Sequence, residues 1–333
     1  MSINKDFELP QNILEVNNLK VYYPIRKGLT QHIIDYVRAV DGISFKIKRG
    51  TTMALVGESG CGKSTTGKAI LKLVQKTDGD VLFDGKEIYS YSKEELRRKR
   101  AKMQFIFQDP YSSLSPRLPI GEIIGEAVRE HKIVEPHEYE NYLDKTMKDC
   151  GLQSFYKERY PHEFSGGQRQ RICIARAIAL QPEFIICDEP VSALDVSIQA
   201  QIINLLTDLQ KERNLTYLFI SHDLSVVEHI ASTLAVMYLG SIVEYGSCDA
   251  IFSAPRHPYT QALLSAIPIP NPDIKKQRIM LKGVLPSSVP CGCKFHTRCQ
   301  SAMPICAEKV PPQINVDDEH YYCCHLSNAA ANI

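Results

Sequence analysis

The 333-residue sequence lacks long apolar runs and carries almost no net charge. A membrane-spanning helix needs roughly 18 consecutive apolar residues, and no segment approaches that length. The formal net charge of +1 gives no support for bulk electrostatic attraction to nucleic acid or to an anionic membrane. The N-terminal segment reaches Pro10 without the apolar core of a signal peptide. We therefore expect a soluble, cytoplasmic chain that has no nucleic-acid partner and reaches a membrane only through another protein.

Strand-like and helix-like segments alternate along most of the chain. Hydrophobic residues make up 44% of the sequence and charged residues 23%, a composition typical of globular proteins. Residues 12–23 form a predicted strand with a turn at Asn17 and Asn18. The short, wholly apolar segment 184–187 is typical of a buried parallel strand. Helices between such strands predict an α/β core with a doubly wound sheet, closed by a β-hairpin at residues 233–246.

A glycine-rich turn follows the predicted strand Thr52–Val56 and fits the pattern G-x-x-x-x-G-K-[ST]. Its residues are Gly57, Glu58, Ser59, Gly60, Cys61, Gly62, Lys63, Ser64 and Thr65. Glycines let successive backbone N–H groups surround an anion, and the following helix directs its positive end at the same point. Lys63 is expected to neutralise the β/γ oxygens of ATP, and Ser64 to ligate Mg²⁺. A plain strand-to-helix turn is the alternative, which the agreement of motif and context disfavours.

Two adjacent carboxylates, Asp188 and Glu189, end the apolar segment 184–187. At the carboxyl end of a strand, one carboxylate can hold Mg²⁺ while the next accepts the proton of an attacking water. Such a pair alone is more often a solvated strand end. Its position after a phosphate-binding loop favours the catalytic interpretation.

Residues 165–168 open a predicted helix and form a second candidate phosphate site. They are Ser165, Gly166, Gly167 and Gln168. Two glycines at a helix start expose N–H donors, and a serine adds a hydroxyl, so the segment can hold a γ-phosphate. With Phe164 in the leucine position, it resembles the LSGGQ signature of ABC transporters.

The resemblance to ABC ATPases extends to further motifs and assigns a role to each. Gln108 resembles the Q-loop glutamine that touches Mg²⁺, and Asp195 matches the D-loop. His222 matches the switch histidine, which would stabilise charge developing on the γ-phosphate. Tyr22 is the expected aromatic that stacks on adenine, with Tyr23 as its rival. An ordinary strand aromatic is the alternative for both tyrosines.

The resemblance also implies a fold and an assembly. The fold is a P-loop NTPase core with an antiparallel β subdomain, a helical subdomain at about 109–165 and a small Cys-rich C-terminal appendage. Prolines accumulate beyond residue 250, so we place the ATP-binding domain at 1–250 and the C-terminal region at 251–333. In this family the signature of one cassette faces the P-loop of another. The chain is therefore expected to pair with itself or with a paralogous ATPase subunit.

The C-terminal third resembles the ATP-binding subunits of oligopeptide/dipeptide permeases, through residues 240–246, 257–264 and 292–299. Residues 56–62 favour the second of the two cassettes that such permeases carry. The resemblance implies a peripheral subunit at the cytoplasmic face of the cell membrane, powering peptide import. Its partners would be two membrane-spanning permease subunits and, indirectly, an extracytoplasmic solute-binding protein. The alternatives are another solute, such as nickel, or a soluble ABC ATPase unrelated to transport.

Six of the eleven cysteines lie in the last part of the chain, which in a cytosolic protein indicates metal binding. Cys293, Cys299, Cys306 and Cys324 follow the spacing C-x₅-C-x₆-C-x₁₇-C. The tight pairs typical of structural zinc are missing among these four. Four thiolates suit a [4Fe–4S] cluster, which the family resemblance also implies, and zinc is the alternative. Cys291 and Cys323 are extra to the family pattern.

Overall fold

The computed structural model describes residues 11–28, 31–268, 278–281, 283, 286, 289–317 and 319–326. The strands within these ranges are β1 (Asn12–Lys27), β2 (His32–Lys48), β3 (Thr52–Val56), β4 (Asp78–Phe83), β5 (Lys86–Glu87), β6 (Met103–Ile106), β7 (Phe184–Asp188), β8 (Thr216–Ser221), β9 (Thr233–Tyr238), β10 (Ser241–Ser247), β11 (Gln313–Asn315) and β12 (Tyr321–Cys323). The helices are α1 (Lys63–Ile70), α2 (Lys93–Lys102), α3 (Pro110–Ser113), α4 (Ile120–Glu130), α5 (Tyr139–Asp149), α6 (Gly166–Ile178), α7 (Val196–Arg213), α8 (Leu224–Ile230), α9 (Cys248–Ser253), α10 (Pro258–Ser265) and α11 (Pro304–Glu308). None of these helices is both long enough and apolar enough to cross a bilayer.

Two sheets organise the strands. The larger has the order β11-β12-β10-β9-β3-β8-β7-β6, and its five strands from β9 to β6 are parallel. The smaller is antiparallel, with the order β2-β1-β4-β5. The expected α/β core and its antiparallel β subdomain are confirmed.

The central sheet is buried on both faces. In β3, Ala54 and Val56 belong to a core shared with helices α4 to α7, whereas Met53 and Leu55 belong to the core beneath the smaller sheet. Successive strand residues point to opposite faces, so a strand covered on both sides must be apolar throughout. This requirement explains why β3 and β7 are short and wholly buried.

Two expectations about turns have opposite outcomes. The hairpin predicted at residues 233–246 is confirmed, since β9 and β10 pair antiparallel. The turn predicted at Asn17 and Asn18 is wrong, because β1 continues through both residues. Asn18 has φ 48°, and the pairing with β2 shifts register between Val16 and Leu19. Asparagine tolerates this left-handed conformation in a β-bulge as well as in a turn.

The C-terminal region extends the central sheet. Strand β12 pairs antiparallel with β10, placing Tyr321 opposite Tyr245 with their rings stacked 5.4 Å apart. Behind this pair, fully buried Glu244 lies 3.2 Å from the His320 imidazole Nε2. An ion pair between Lys48 and Glu319 adds a surface contact to the same junction. The appendage is therefore anchored to the strand that follows the β9–β10 turn.

Candidate functional site

The glycine-rich loop lies between the carboxyl end of β3 and the first turn of α1, in close contact with neighbouring backbone. Gly62 has φ 108°, and a Cβ there would lie 2.0 Å from the Ala39 carbonyl oxygen. A Cβ on Gly57 would lie 2.2 Å from the Met237 carbonyl oxygen. Only glycine permits this approach, so β2 and β9 fix the path of the loop. Ser59 and Gly60 lie at its exposed tip.

The loop encloses a buried lysine and leads to a hydroxyl–carboxylate pair. Lys63 Nζ donates to the carbonyl oxygens of Gly57 and Glu58 at 2.8 and 3.1 Å. Ser64 Oγ donates to Asp188 Oδ1 at 2.8 Å, although the two residues lie on different elements. Burial raises the pKa of Asp188, and the hydrogen bond from Ser64 opposes that shift. Hard cations such as Mg²⁺ prefer oxygen ligands, so the donor chemistry of this pair fits the ion expected there.

Gln108 and His222 converge on the second carboxylate, Glu189. Gln108 Nε2 donates to Glu189 Oε2 at 2.8 Å, and His222 Nδ1 lies 3.2 Å from the same oxygen. The Glu189 side chain is 11% exposed, whereas that of His222 is 55% exposed. Three residues nominated from separate sequence motifs therefore meet at one oxygen atom.

The backbone of Glu189 is unusual. Its φ is 46°, a left-handed conformation that costs a non-glycine residue about 1–3 kcal/mol. Its N–H still donates to the Ile220 carbonyl oxygen at 2.9 Å, which continues the β7–β8 pairing. The chain therefore turns sharply at the position of the candidate general base. Backbone strain of this kind clusters at functional sites.

The signature segment forms the N-terminal cap of α6. Ser165 Oγ accepts the Gln168 N–H at 3.3 Å, while Gln168 Oε1 accepts the Ser165 N–H at 3.0 Å. Ser165 and Gly166 are exposed, whereas a Cβ on Gly167 would lie 2.5 Å from Ile198 Cγ2 on α7. Within the described chain, no hydrogen bond or ion pair joins residues 165–168 to residues 57–65. The exposed serine is therefore available to another molecule.

Asp195 caps the helix that packs against the signature. Its carboxylate accepts the Ile198 N–H at 3.0 Å and the Ser197 hydroxyl at 2.8 Å. These hydrogen bonds, the one from Ile198 first, lower the pKa of Asp195. The residue thus has a capping function in the chain by itself, in addition to the D-loop role predicted for it.

Tyr22 is held in place by the carboxylate of Asp41. Its hydroxyl donates to Asp41 Oδ1 at 2.5 Å. Burial and this hydrogen bond raise the pKa of Tyr22 to about 12. The Arg38 guanidinium lies 5.7 Å from the centre of the Tyr22 ring, while neighbouring Tyr23 is 41% exposed. Backbone hydrogen bonds run from Asp41 through Gly240 to Cys61, which connect Tyr22 to the glycine-rich loop.

Sequence patterns missed a layer of residues from the C-terminal region that contacts the same loop. Arg298 pairs with the Glu58 carboxylate, and Tyr259 accepts the Glu58 N–H at 2.9 Å. Lys294 pairs with Asp41 at 2.8 Å. The only available signal was the presence of two cations inside the cysteine-rich segment, and nothing in their spacing identified their partners.

The four nominated cysteines lie near one another beneath this layer. Cys306 and Cys324 are buried, Cys293 and Cys299 are half-buried, and the Cys293 N–H donates to the Cys306 carbonyl oxygen at 2.8 Å. Burial and, to a smaller extent, the charges of the other three thiols raise the pKa of Cys293 to about 11. However, no group of three His, Cys, Asp or Glu side chains among the described residues could hold a metal ion. The four thiols therefore lie near one another, but the described residues do not form a metal-binding group.

Comparison with known families identifies two matching regions. Residues 40–192 match the family described as ABC transporter, and residues 243–306 match the oligopeptide/dipeptide transporter C-terminal region. The oligopeptide transport ATP-binding protein AppF of Bacillus subtilis is 51% identical over 321 residues, covering 95% of this chain and 98% of that protein. A probable peptide ABC transporter ATP-binding protein of Sinorhizobium fredii, y4tS, is 47% identical, covering 96% of this chain and 91% of that protein.

Solved structures share the fold of the cassette. CbiO1 from Clostridium perfringens, part of the ABC transporter complex cbiONQ, is 29% identical with a TM-score of 0.64. The likeness covers 73% of this chain and 92% of that one. The ATP-binding cassette MJ0796, solved as a dimer in a post-hydrolysis state bound to ADP and Pi, is 26% identical with a TM-score of 0.63. That likeness covers 71% of this chain and 98% of the other.

Proposed function

The chain belongs to the family of oligopeptide transport ATP-binding proteins of the ABC class, and from this premise we propose a role for each part of the site. It is an ATPase whose ATP hydrolysis is coupled to transport. We place its ABC domain at residues 1–250, with the helical subdomain at about 109–165, and its transporter-specific region at 251–333.

The convergence of Gln108 and His222 on Glu189, beside the Ser64–Asp188 pair, carries the proposal. ATP would bind along residues 57–65, with Lys63 against its β/γ oxygens and Tyr22 against its adenine. Ser64, Gln108 and Asp188 would hold Mg²⁺, which supplies charge neutralisation on the phosphates.

Three side chains would carry out the hydrolytic step. Glu189 would orient the attacking water and accept its proton, since its carboxylate is fixed by two neighbours. Gln108 would hold that carboxylate in place through its amide. His222, more exposed than Glu189, would face the γ-phosphate and stabilise its developing negative charge.

Each complete site would need a second cassette. The exposed segment 165–168 has no hydrogen bond to residues 57–65 within the described chain, so we assign it to the ATP of a partner. That partner is a paralogous ATPase subunit or a second copy of this chain, and the resemblance to second cassettes favours the paralogue. Two membrane-spanning permease subunits would bind the pair at the cytoplasmic face of the membrane. An extracytoplasmic solute-binding protein would deliver the cargo.

Oligopeptides or dipeptides are the proposed cargo. The C-terminal match and the peptide-transport relatives support them over nickel and over a soluble, non-transport ATPase. The test is ATP hydrolysis by the complete transporter in proteoliposomes containing its binding protein. Oligopeptides should stimulate hydrolysis and accumulate inside, whereas Ni²⁺ should do neither. Stimulation by Ni²⁺ alone would reassign the cargo, and full activity without permease subunits would reject the transport function.

Cys293, Cys299, Cys306 and Cys324 are the proposed ligands of a [4Fe–4S] cluster with a structural role. Their mutual proximity and the family resemblance support it. Zinc is the alternative, which the lack of tight cysteine pairs among these four disfavours. Protein purified without oxygen should contain four irons and absorb broadly near roughly 400 nm. Cys306→Ser should remove both signals, whereas Cys248→Ser, at a buried thiol outside the group, should not; iron-free protein would reject the cluster.

A further inference from the structure

We propose that Arg298 and Lys294, from the cysteine-rich C-terminal loop, are positioning residues of the ATP site. Arg298 would set the charge and orientation of the phosphate-binding loop, and Lys294 would set those of the adenine-facing tyrosine. The inference rests on the proposed ATP function and adds to it, because no sequence motif of the cassette contains either residue.

Arg298 makes a largely buried, bidentate contact with Glu58 of the loop. Its two terminal nitrogens donate to the two carboxylate oxygens of Glu58 at 2.6 and 3.0 Å. The Arg298 side chain is 8% exposed and that of Glu58 is 24% exposed. Charge-assisted pairs with this bidentate geometry are the strong ones, and they fix orientation as well as charge. Glu58 is thereby held by a residue 240 positions later in the chain.

Neutralising Glu58 matters because it lies within the phosphate-binding loop. An unpaired carboxylate there would repel a triphosphate, and the repulsion is strong where the surroundings are partly buried. The same residue is fixed through its backbone, since its N–H donates to the hydroxyl of Tyr259 on α10. Its carbonyl oxygen accepts from Lys63. The C-terminal region thus controls both the charge and the conformation of the first turn of the loop.

Lys294 makes the corresponding contact at the adenine end. Its ammonium donates to Asp41 Oδ2 at 2.8 Å, the Leu239 carbonyl oxygen at 3.0 Å and Ser241 Oγ at 2.6 Å. Asp41 in turn accepts the Tyr22 hydroxyl. Burial favours the protonated form of Asp41, but the hydrogen bonds from Lys294 and Tyr22 outweigh it and hold its pKa below the ordinary value. Lys294 therefore stabilises the anion that orients Tyr22.

One short segment, residues 294–298, carries both cations. Phe295, between them, is 2% exposed and packs against the rings of Tyr238 and Tyr259 at 5.2 and 5.3 Å. Each cation is also the sequence neighbour of a nominated cluster ligand, Lys294 of Cys293 and Arg298 of Cys299. The position of the cysteine loop therefore determines where both positive charges meet the ATP site.

The test for Arg298 is a double-mutant cycle with Glu58, measuring the dissociation constant of Mg·ATP for the full chain by calorimetry. Arg298→Met should weaken binding about tenfold, the consequence of losing one charged hydrogen-bonding partner. In a Glu58→Gln background the same change should have less than about a twofold effect, because no charge remains to be neutralised. Equal losses in both backgrounds, or no loss in either, would overturn the role of Arg298. If Arg298→Met does not fold, Arg298→Lys, which keeps the charge but loses the bidentate geometry, takes its place.

The test for Lys294 compares ATP with inorganic tripolyphosphate, which has no base. Lys294→Met should weaken the binding of ATP and leave the binding of tripolyphosphate unchanged. In a Tyr22→Phe background, Lys294→Met should no longer affect the binding of ATP. Arg298→Met should weaken both ligands. Equal weakening of tripolyphosphate by Lys294→Met would overturn its assignment to the adenine end.

Two control variants separate positioning from general docking. Arg213→Met breaks a partly buried pair with Asp149, and Glu319→Gln breaks the Lys48 contact that docks the C-terminal strands. Both should bind ATP as the wild type does. If Glu319→Gln weakens ATP as much as Arg298→Met, docking rather than positioning explains the effect and the inference fails. A wild-type chain that does not bind ATP would instead reject the proposed function.

Discussion

Glu189 combines features that a surface glutamate would not need. It has a left-handed backbone, a largely buried side chain and two polar neighbours at one carboxylate oxygen. The shape of the site depends on the length of the side chain, whereas the proposed chemistry depends on its ability to accept a proton. An amide of equal length separates these two contributions.

We therefore expect Glu189→Gln to bind ATP normally and to hydrolyse it at least about a hundredfold more slowly, the loss typical of a missing general base. The measurements are the ATP dissociation constant and steady-state phosphate release by the assembled transporter. Glu228→Gln, an exposed change on α8, is the matched control and should keep wild-type turnover. Near-normal hydrolysis by Glu189→Gln would remove the residue from the chemical step.

A buried histidine makes the stability of the protein depend on pH. His257 caps α10 through Nδ1, which accepts the Tyr259 N–H at 3.0 Å, and burial lowers its pKa from 6.5 to about 3. Below pH 6.5, His257 is therefore protonated in the unfolded chain but still neutral in the folded protein. Stability contributed by neutral His257 is complete above pH 6.5 and falls as the pH drops toward 3.

The expected loss is about 1.4 kcal/mol per pH unit below 6.5. His257→Asn keeps a capping acceptor but does not titrate. Urea unfolding between pH 7.5 and pH 5 should therefore show a smaller decline for the variant than for the wild type. Both proteins retain Glu244 and His320, the neighbouring ionisable groups. Parallel declines would show that His257 accepts a proton without cost.

At the scale of elements, the signature helix α6 and the exposed helix α2 begin with the same kind of N-terminal cap. Ser165 and Gln168 form a capping box at α6, as Ser92 and Glu95 do at α2. Only Ser165 has a proposed second role, toward the ATP of a partner. Removing each serine separates helix stabilisation from phosphate binding.

Ser165→Ala and Ser92→Ala should each lower the free energy of unfolding by about 1 kcal/mol. Only Ser165→Ala should also slow hydrolysis in the assembled transporter, because the partner's ATP loses a hydroxyl donor. Ser165→Asp should restore the cap and still be slow, since its charge would repel the γ-phosphate. If Ser165→Asp recovers full activity, the serine acts through its cap alone.

Sequence patterns predicted strands well where both faces are buried, and poorly where a strand is defined by pairing with residues distant in the sequence. Strands β3 and β7 were identifiable because both faces are covered and every residue must be apolar. Strand β12, only three residues long, is defined by its pairing with Glu244 and Tyr245, which no local pattern encodes. The bulge at Asn18 was mistaken for a turn because both use the same backbone conformation.

Across the whole molecule, the sequence nominates the candidate site residues but not the residues that contact them from the C-terminal region. The glycine-rich loop follows a spacing that phosphate binding requires, whereas His222 was nominated by its resemblance to the switch histidine of the family. Arg298 and Lys294 reach the site because Phe295, between them, packs against Tyr238 on β9 and Tyr259 on α10. Such contacts depend on tertiary packing, so a charge pattern alone could not reveal them.

Pairing of whole chains provides a further prediction. Because no hydrogen bond joins the signature serine to residues 57–65 within the part of the chain that the structure describes, the isolated subunit should be largely monomeric and slow. ATP should promote association, most clearly for Glu189→Gln, in which hydrolysis does not reverse it. Light scattering at several protein concentrations measures the monomeric state and its association with ATP. Ser92→Ala in the Glu189→Gln background is the control and should pair normally. Full-rate hydrolysis that does not depend on concentration would contradict the shared site.

The ion pair between Glu58 and Arg298 also has a consequence for synthesis of the protein on the ribosome. Domains generally fold as they emerge, N-terminal parts first, and contacts between distant residues form late. Every cassette motif up to His222 has been translated well before Arg298 appears. A nascent chain can therefore enclose its phosphate loop while Glu58 still lacks its cation. On this chain, nucleotide binding by the nascent cassette would therefore be about tenfold weaker until Arg298 has been translated and has paired with Glu58.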